Sequence, residues 1–175
     1  FDEAERDAVA GYLSQGGWMT EFRKTEEFER RIAEYVGAKH CVVVANGTVS
    51  LATALFALGV GPGDEVIVPD LTMFGSVTSV MLTGARPVLV DVAPDTLCLD
   101  LGLAERAITP ATKAVMVVSL HGRAPDMAAA RKLCDGRGLH LVEDAAQSLG
   151  ARQGGRHIGT FGAVGSYSFS APKII

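Results

Sequence analysis

Short apolar runs alternate with helix-spaced segments through most of the chain, and this alternation restricts the possible folds more than any other feature. Cys41-Val42-Val43-Val44-Ala45 is a β-branched run that stops at Asn46-Gly47 and gives way to helical spacing from Thr48 to Leu58. The order returns as strand Glu65 to Val68, helix near Met73 to Leu82, strand Pro87 to Val90 and helix near Leu101 to Ile108. It continues as strand Lys113 to Ser119, helix Asp126 to Arg137, strand His140 to Glu143 and a strand-like segment near Val164 to Phe169. Continuously apolar strands are buried on both faces, and strands separated by helices run parallel. The expected class is therefore α/β, a mostly parallel sheet with helices on both faces.

Ahead of this pattern, Phe28, Ile32, Tyr35 and Val36 recur at i, i+4, i+7 and i+8 between charges, which predicts an amphipathic helix over Thr25 to Val36, ended by Gly37. The expected division is an N-terminal helical segment over 1–36 and a main domain over 37–175. The last residues, Lys173-Ile174-Ile175, follow a strand and turn with no helix to close the layer, so the main domain reads as incomplete at its C-terminal side, a fragment of a longer protein.

Composition removes several function classes. At 175 residues, 48% hydrophobic and 21% charged, the chain can bury a core and is not of disordered or collagen-like type. A net charge of -4 without a basic run disfavours nucleic acid as a partner. The longest apolar stretches, such as Ala114 to Val118, are far short of the roughly 20 residues that span a bilayer. The opening Phe1-Asp2-Glu3-Ala4-Glu5-Arg6 has no basic or apolar leader region. Cys41, Cys98 and Cys134 are widely spaced and odd in number, the pattern of reduced thiols in a cytoplasmic protein. His40, His121, His140 and His157 lack metal-ligand spacing, so no metal site is expected, and no G-x-S-x-G is present for acyl transfer.

In parallel sheets ligands sit at the carboxyl ends of the strands. The polar residues here fall at those ends: Asn46-Gly47-Thr48, Pro69-Asp70-Leu71-Thr72, His121-Gly122, Glu143-Asp144 and Ser168. The Gly47-Thr48 turn opens a helix whose N–H groups and dipole favour an anion such as phosphate, with Thr48 and Ser50 adding hydroxyls; Thr48 could equally be a simple helix cap. Gly59-Val60-Gly61-Pro62-Gly63 has neither dinucleotide nor P-loop spacing and reads as a turn. A carboxylate at Glu143-Asp144 would be partly desolvated and would need a cation, which a protonated heterocycle nitrogen supplies; a capping or paired acid is the structural alternative. Ala145 and Ala146 leave room for a flat ring, and Gln147 offers an amide to it. Lys173, read alone, is a surface charge, yet beside a ring and a phosphate it is what Schiff-base chemistry requires.

Together these segments resemble one family. Asn46-Gly47-Thr48, Gly61-Pro62-Gly63-Asp64-Glu65-Val66-Ile67-Val68-Pro69, Glu143-Asp144-Ala145-Ala146-Gln147-Ser148-Leu149-Gly150, Gly159-Thr160-Phe161-Gly162 and Ser166-Tyr167-Ser168-Phe169-Ser170-Ala171-Pro172-Lys173 look like the DegT/StrS nucleotide-sugar aminotransferases, in order and spacing from about Gly17 onward. The resemblance implies the large domain of fold type I, the aspartate aminotransferase-like fold, with pyridoxal 5'-phosphate (PLP) as cofactor. It implies that Lys173 forms the Schiff base and then acts as the base, that Asp144 holds the ring nitrogen protonated, and that Gln147 bonds the ring hydroxyl. Gly47, Thr48 and Val49 with Ser168 would hold the phosphate, Ala146 would pack under the ring, and Met73 would lie on its open face.

The resemblance further implies amino transfer from glutamate to the keto group of a nucleotide-linked deoxy sugar, closest to perosamine-synthase-like enzymes acting on GDP-4-keto-6-deoxymannose, for surface polysaccharide or glycoside biosynthesis. It also implies a cytoplasmic homodimer and a small C-terminal domain not present in this chain. Two positions depart from the family pattern: Met73 replaces the usual stacking aromatic, with Phe74 next to it, and Glu21-Phe22-Arg23 replaces a Gly-Pro segment near the sugar site. A family branch with His at the lysine position dehydrates sugars instead, and Lys173 favours amination over that alternative. A noncatalytic nucleotide- or phosphate-binding α/β module is the alternative from a different class.

Overall fold

The computed structural model describes residues 2–16, 23–171 and 173. Glu21 and Phe22 of the departing segment, and Pro172 of the last motif, lie outside the described residues. The chain divides into two units, Phe1–Val42 and Val43–Ile175.

The first unit holds two helices, α1 (Glu3–Ser14) and α2 (Arg23–Val36). Asp2 caps α1 by accepting the Ala4 amide at 2.8 Å, while Glu5 reaches back to the Asp2 amide at 2.7 Å, a reciprocal capping box. On α2, Glu27 bridges Lys24 and Arg31 at 2.7 and 2.6 Å, and Arg30 pairs with Glu34 at 2.9 Å. These exposed pairs one turn apart support a helix whose apolar stripe ends in the buried Val36.

The second unit is the expected α/β body. Its elements run α3 (Gly47–Ala57), β1 (Glu65–Pro69), α4 (Phe74–Leu82), β2 (Arg86–Val90), α5 (Leu101–Ala107), β3 (Thr112–Val118), α6 (Met127–Arg137), β4 (His140–Asp144), β5 (Arg152–Gln153), β6 (Arg156–His157) and β7 (Val164–Ser166). Five strands form one parallel sheet in the order β2-β1-β3-β4-β7, and β5 and β6 form a small antiparallel hairpin. Asn46, Asp100 and Asp126 cap α3, α5 and α6 through their side chains, and Gly138, at φ 67°, ends α6 in the left-handed conformation that glycine adopts without strain.

Alternation along the buried strands divides the core between the two faces. Val66, Val68, Ala114, Met116 and Val142 pack with Leu51 and Leu55 of α3 and Val80 of α4. Ile67, Val115, Val117, Leu141 and Ala145 pack on the other face with Ala104 of α5 and Met127, Ala130 and Cys134 of α6. Burying each large side chain of this kind contributes about 1.5–3 kcal/mol before entropy is counted. This parity also decides the direction of the two acids that end β4: Glu143 shares a face with Leu141 and Ala145, and Asp144 shares the other with Val142.

One expected strand is corrected. Cys41 to Ala45 belongs to no strand pairing among the described residues, and Val42 and Val43 are 75% and 41% exposed. β-branched side chains favour an extended backbone, but a strand forms only where a partner edge completes its hydrogen bonds. The other expected strands and helices of this unit form within a few residues of their sequence limits, and the Gly61 turn is closed by Asp64, whose side chain accepts the Gly61 amide at 3.0 Å.

Candidate active site

The order in which strands are added reverses between β1 and β3: the chain passes from β1 outward to β2, then crosses to build β3, β4 and β7 on the other side, all strands staying parallel. Such a switch point leaves a crevice at the carboxyl ends of the strands. Thr72 follows β1 there, Ser119 follows β3, Asp144 ends β4, and Ser168 follows β7.

The start of α3 lies at the same edge. Asn46, rather than Thr48, is the cap: its Oδ1 accepts the Val49 amide at 3.0 Å. The amides of Gly47 and Thr48, at the first two helical positions, have no acceptor within the helix and carry its positive end. A Cβ on Gly47 would stand 3.6 Å from the Ser168 Cβ, so this helix start and the segment after β7 face each other closely. A Cβ on Gly75 would stand 2.7 Å from Thr48 Oγ1 and 3.4 Å from Met73 Sδ, so the glycine lets the start of α4 approach the start of α3. Amides, hydroxyls and small residues thus converge as an anion requires. Ser50, the second hydroxyl expected here, instead accepts a bond from Ser166 Oγ at 2.9 Å and ties α3 to β7.

Asp144 is 6% exposed. Its Oδ2 accepts the Ser76 hydroxyl at 2.6 Å, and its Oδ1 accepts the Ala146 amide at 3.2 Å. Burial pushes this carboxyl above its ordinary range, while the Ser76 hydroxyl, the Ala146 amide and the Lys173 ammonium pull against it without cancelling it. A carboxyl in that condition is a receptor for a further cation. Lys173 is half-buried, its amide bonded to the Ser170 carbonyl at 2.9 Å, and its charge reaches Asp144.

Gln147 follows on the same turn. Its Oε1 accepts the His121 amide at 3.0 Å, which leaves Nε2 as the donor the side chain can offer. His121 takes φ 53° to present that amide. Met73 caps α4, with Sδ 3.4 Å from the Gly75 amide, and is 56% exposed; Phe74 is 71% exposed.

Glu143 is fully buried on the opposite face, where it accepts the Gly159 amide at 2.6 Å and the Gly162 amide at 2.5 Å. Burial raises its carboxyl, and these amides with that of Phe161 oppose the rise. Tyr167 Oη donates to the Ile158 carbonyl at 2.6 Å, closing the same loop from β7. Of the two acids, Glu143 therefore organises the chain and Asp144 faces the strand-end crevice.

The described geometry brings Gly47 beside Ser168, Gly75 beside both Thr48 and Met73, and Asp144 beside Ala146 within reach of the Lys173 charge. Val49 commits its amide to the Asn46 cap. Two partners escaped the sequence reading: Ser76, which holds Asp144, and the His121 amide, which holds Gln147. Thr72 and Ser76, four apart after a strand end, were the available signal for the first; a backbone donor leaves none.

Comparison with known proteins bears on this arrangement. A family model for the DegT/DnrJ/EryC1/StrS aminotransferases matches residues 1–175. An L-glutamine:2-deoxy-scyllo-inosose aminotransferase of Streptomyces kanamyceticus is 44% identical over 97% of this chain and 41% of its own length. A GDP-perosamine synthase of Caulobacter vibrioides is 43% identical over 99% of this chain and 47% of its own length. A Streptococcus pneumoniae aminotransferase solved in its PLP-form superposes with a TM-score of 0.94 at 34% identity, over 99% of this chain and 48% of that one. The chain thus spans less than half the length of these relatives. The parallel sheet between helices is the large-domain fold of fold type I, as the sequence resemblance implied. With the fold, the strand-end crevice and the match along its whole length in agreement, the chain belongs to the DegT/DnrJ/EryC1/StrS aminotransferase family.

Proposed function

We propose that the natural-length protein is a PLP-dependent sugar aminotransferase, and that this chain carries its cofactor site. The observation behind the reading is Asp144, a buried carboxyl under a net desolvation load at the strand-end crevice, with a lysine charge and a helix N-terminus at the same edge. Those groups suit a cationic ring nitrogen, a carbonyl carbon and a phosphate. PLP, when bound, supplies an aldehyde that combines with amines and a ring that withdraws electrons from the adjacent carbon.

In this reading Asp144 keeps the ring-nitrogen proton in place and Gln147 Nε2 donates to the ring hydroxyl. The Gly47 and Thr48 amides, with the Thr48 and Ser168 hydroxyls, hold the phosphate, and Val49 lines that end. Ala146 and Met73 would line the two faces of the ring, where a thioether contact is worth about 0.3–1.5 kcal/mol. Lys173 would supply Nζ both as the amine that anchors the cofactor and, when free, as a base for the substrate proton. Amination rather than dehydration follows from having a lysine at this position.

The acceptor we favour is the keto group of a nucleotide-linked deoxy sugar of the GDP-4-keto-6-deoxymannose type, with glutamate as donor, in cytoplasmic polysaccharide or glycoside biosynthesis. The Caulobacter vibrioides relative supports it. A second reading, a cyclitol ketone with glutamine as donor, is supported by the Streptomyces kanamyceticus relative at similar identity. The test is product mass. The natural-length protein with PLP is offered glutamate or glutamine and a panel of nucleotide keto-sugars and 2-deoxy-scyllo-inosose. The expected product gains an amine in place of the ketone oxygen; a product that loses oxygen without gaining nitrogen identifies a dehydratase and contradicts the proposal.

A further inference from the structure

The fold treats the two oxygens of Asp144 differently. Oδ1 accepts a long bond from the Ala146 amide at 3.2 Å, while Oδ2 accepts a short one from Ser76 Oγ at 2.6 Å. Ser76 sits in the first turn of α4, 68 residues away in sequence and 1% exposed, and its hydroxyl also meets Thr72 Oγ1 at 2.8 Å. A hydroxyl has one proton. With that proton on Asp144 Oδ2, the second bond must run from Thr72 to Ser76, so the chain Thr72 to Ser76 to Asp144 has one direction and ends on an accepting carboxyl oxygen, the arrangement an ionised carboxylate favours. The opposite direction, Asp144 to Ser76 to Thr72, exists only if Asp144 is protonated. The relay is therefore coupled to the charge of the carboxyl.

We infer that Ser76, oriented by Thr72, is a positioning residue that holds Asp144 ionised and aimed at the cation it serves. The inference rests on the cofactor reading above, in which that cation is the protonated ring nitrogen. Among the influences that oppose burial at Asp144, the Ser76 hydroxyl is the strongest, ahead of the Ala146 amide and the Lys173 charge. Among the described residues, the charged group acting on Asp144 is Lys173, from the segment after β7. From β3, Ser119 donates its amide to the Asp144 carbonyl and presents no charge. Glu143 lies on the other face of β4, bonded to the Gly159 and Gly162 amides. Without the hydroxyl, Asp144 would keep a proton of its own more readily, and the ring nitrogen would lose its partner.

The test uses the natural-length protein as Ser76→Ala, Ser76→Thr, Asp144→Asn and the Ser76→Ala/Asp144→Asn double variant. The first readout is the unfolding midpoint of the PLP-free proteins from about pH 5 to 8. A carboxyl whose folded pKa lies above its unfolded value costs the fold increasingly as pH rises through the interval between them. Ser76→Ala raises the folded value further, so its deficit against the parent should widen with pH. The widening should vanish in the Asp144→Asn background, and Ser76→Thr should restore the parent profile. The second readout is PLP affinity, expected to fall about tenfold in Ser76→Ala, equivalent to about 1.4 kcal/mol, and to recover in Ser76→Thr. A deficit that is independent of pH and equal in both backgrounds would overturn the inference, because it would make Ser76 a packing residue only. Failure of the parent to take up PLP would sink the cofactor reading, while the pH-dependent deficit would still decide the role of Ser76.

Discussion

A carboxylate at the end of a buried parallel strand destabilises its surroundings unless a cation faces it, and Asp144 is held above its ordinary range for that reason. The stability sign follows from linkage: with the folded value raised, the protein loses stability as pH rises from the unfolded value through the folded one. Asp144→Asn removes the group that titrates. The PLP-free variant should therefore melt above the parent near neutral pH, by about 2–4 °C for each kcal/mol recovered, and the gap should close toward acid pH. Scanning fluorimetry across pH checks this; a variant that melts below its parent throughout the range contradicts it. The same change should cost amino transfer about a hundredfold or more, and Lys173→Arg about a thousandfold or more, both measured as kcat under saturating PLP. The strand-end acid pair and Lys173 stood out in sequence because they fall in motifs of fixed spacing, and the family resemblance singled out Asp144 from the pair. Ser76 did not, because a serine inside a helix looks the same whether its hydroxyl faces solvent, its own backbone or a carboxylate of another strand.

At the scale of elements, β7 depends on glycines as much as on its ladder. A Cβ on Gly165 would overlap the Gly159 carbonyl oxygen, and one on Gly162 would overlap the Leu141 carbonyl oxygen. Glu143 holds the intervening loop by its Gly159 and Gly162 amides. β7 in turn leads to Ser168 and Lys173, so the loop sets where those residues arrive. Gly165→Ala is expected to lose about 1–3 kcal/mol or more, seen as a lowered midpoint in chemical denaturation together with weakened PLP uptake; full stability in that variant would contradict the account. The alternation of strand and helix was readable because continuous apolar runs report burial on both faces. The hairpin of β5 and β6 was not, since each of its strands has two residues and offers no period. Cys41 to Ala45 misled for the converse reason: composition reports a preference for extended backbone, whereas pairing depends on what lies alongside.

Across the whole molecule, the sheet gathers the ends of β1, β3, β4 and β7 at one edge and places the start of α3 there, which is why residues far apart in sequence reach one crevice. Phe56 on α3 and Phe74, Met81 and Leu82 on α4 are each more than half exposed. Where such side chains form one contiguous patch, that face associates. The homodimer that the family resemblance implies is checked by light scattering of the natural-length protein at micromolar concentration, where a dimer is the expected result and a monomer would contradict it. No helix among the described residues is long and apolar enough to cross a membrane. The proposed chemistry requires Lys173 to carry the cofactor. The direct measurement is to incubate the natural-length protein with PLP, reduce it with borohydride, digest it and locate the modified peptide by mass spectrometry. A pyridoxyl group on Lys173 is the predicted result; folded protein in which Lys173 stays unmodified, or in which another lysine carries the group, would contradict the account at its centre.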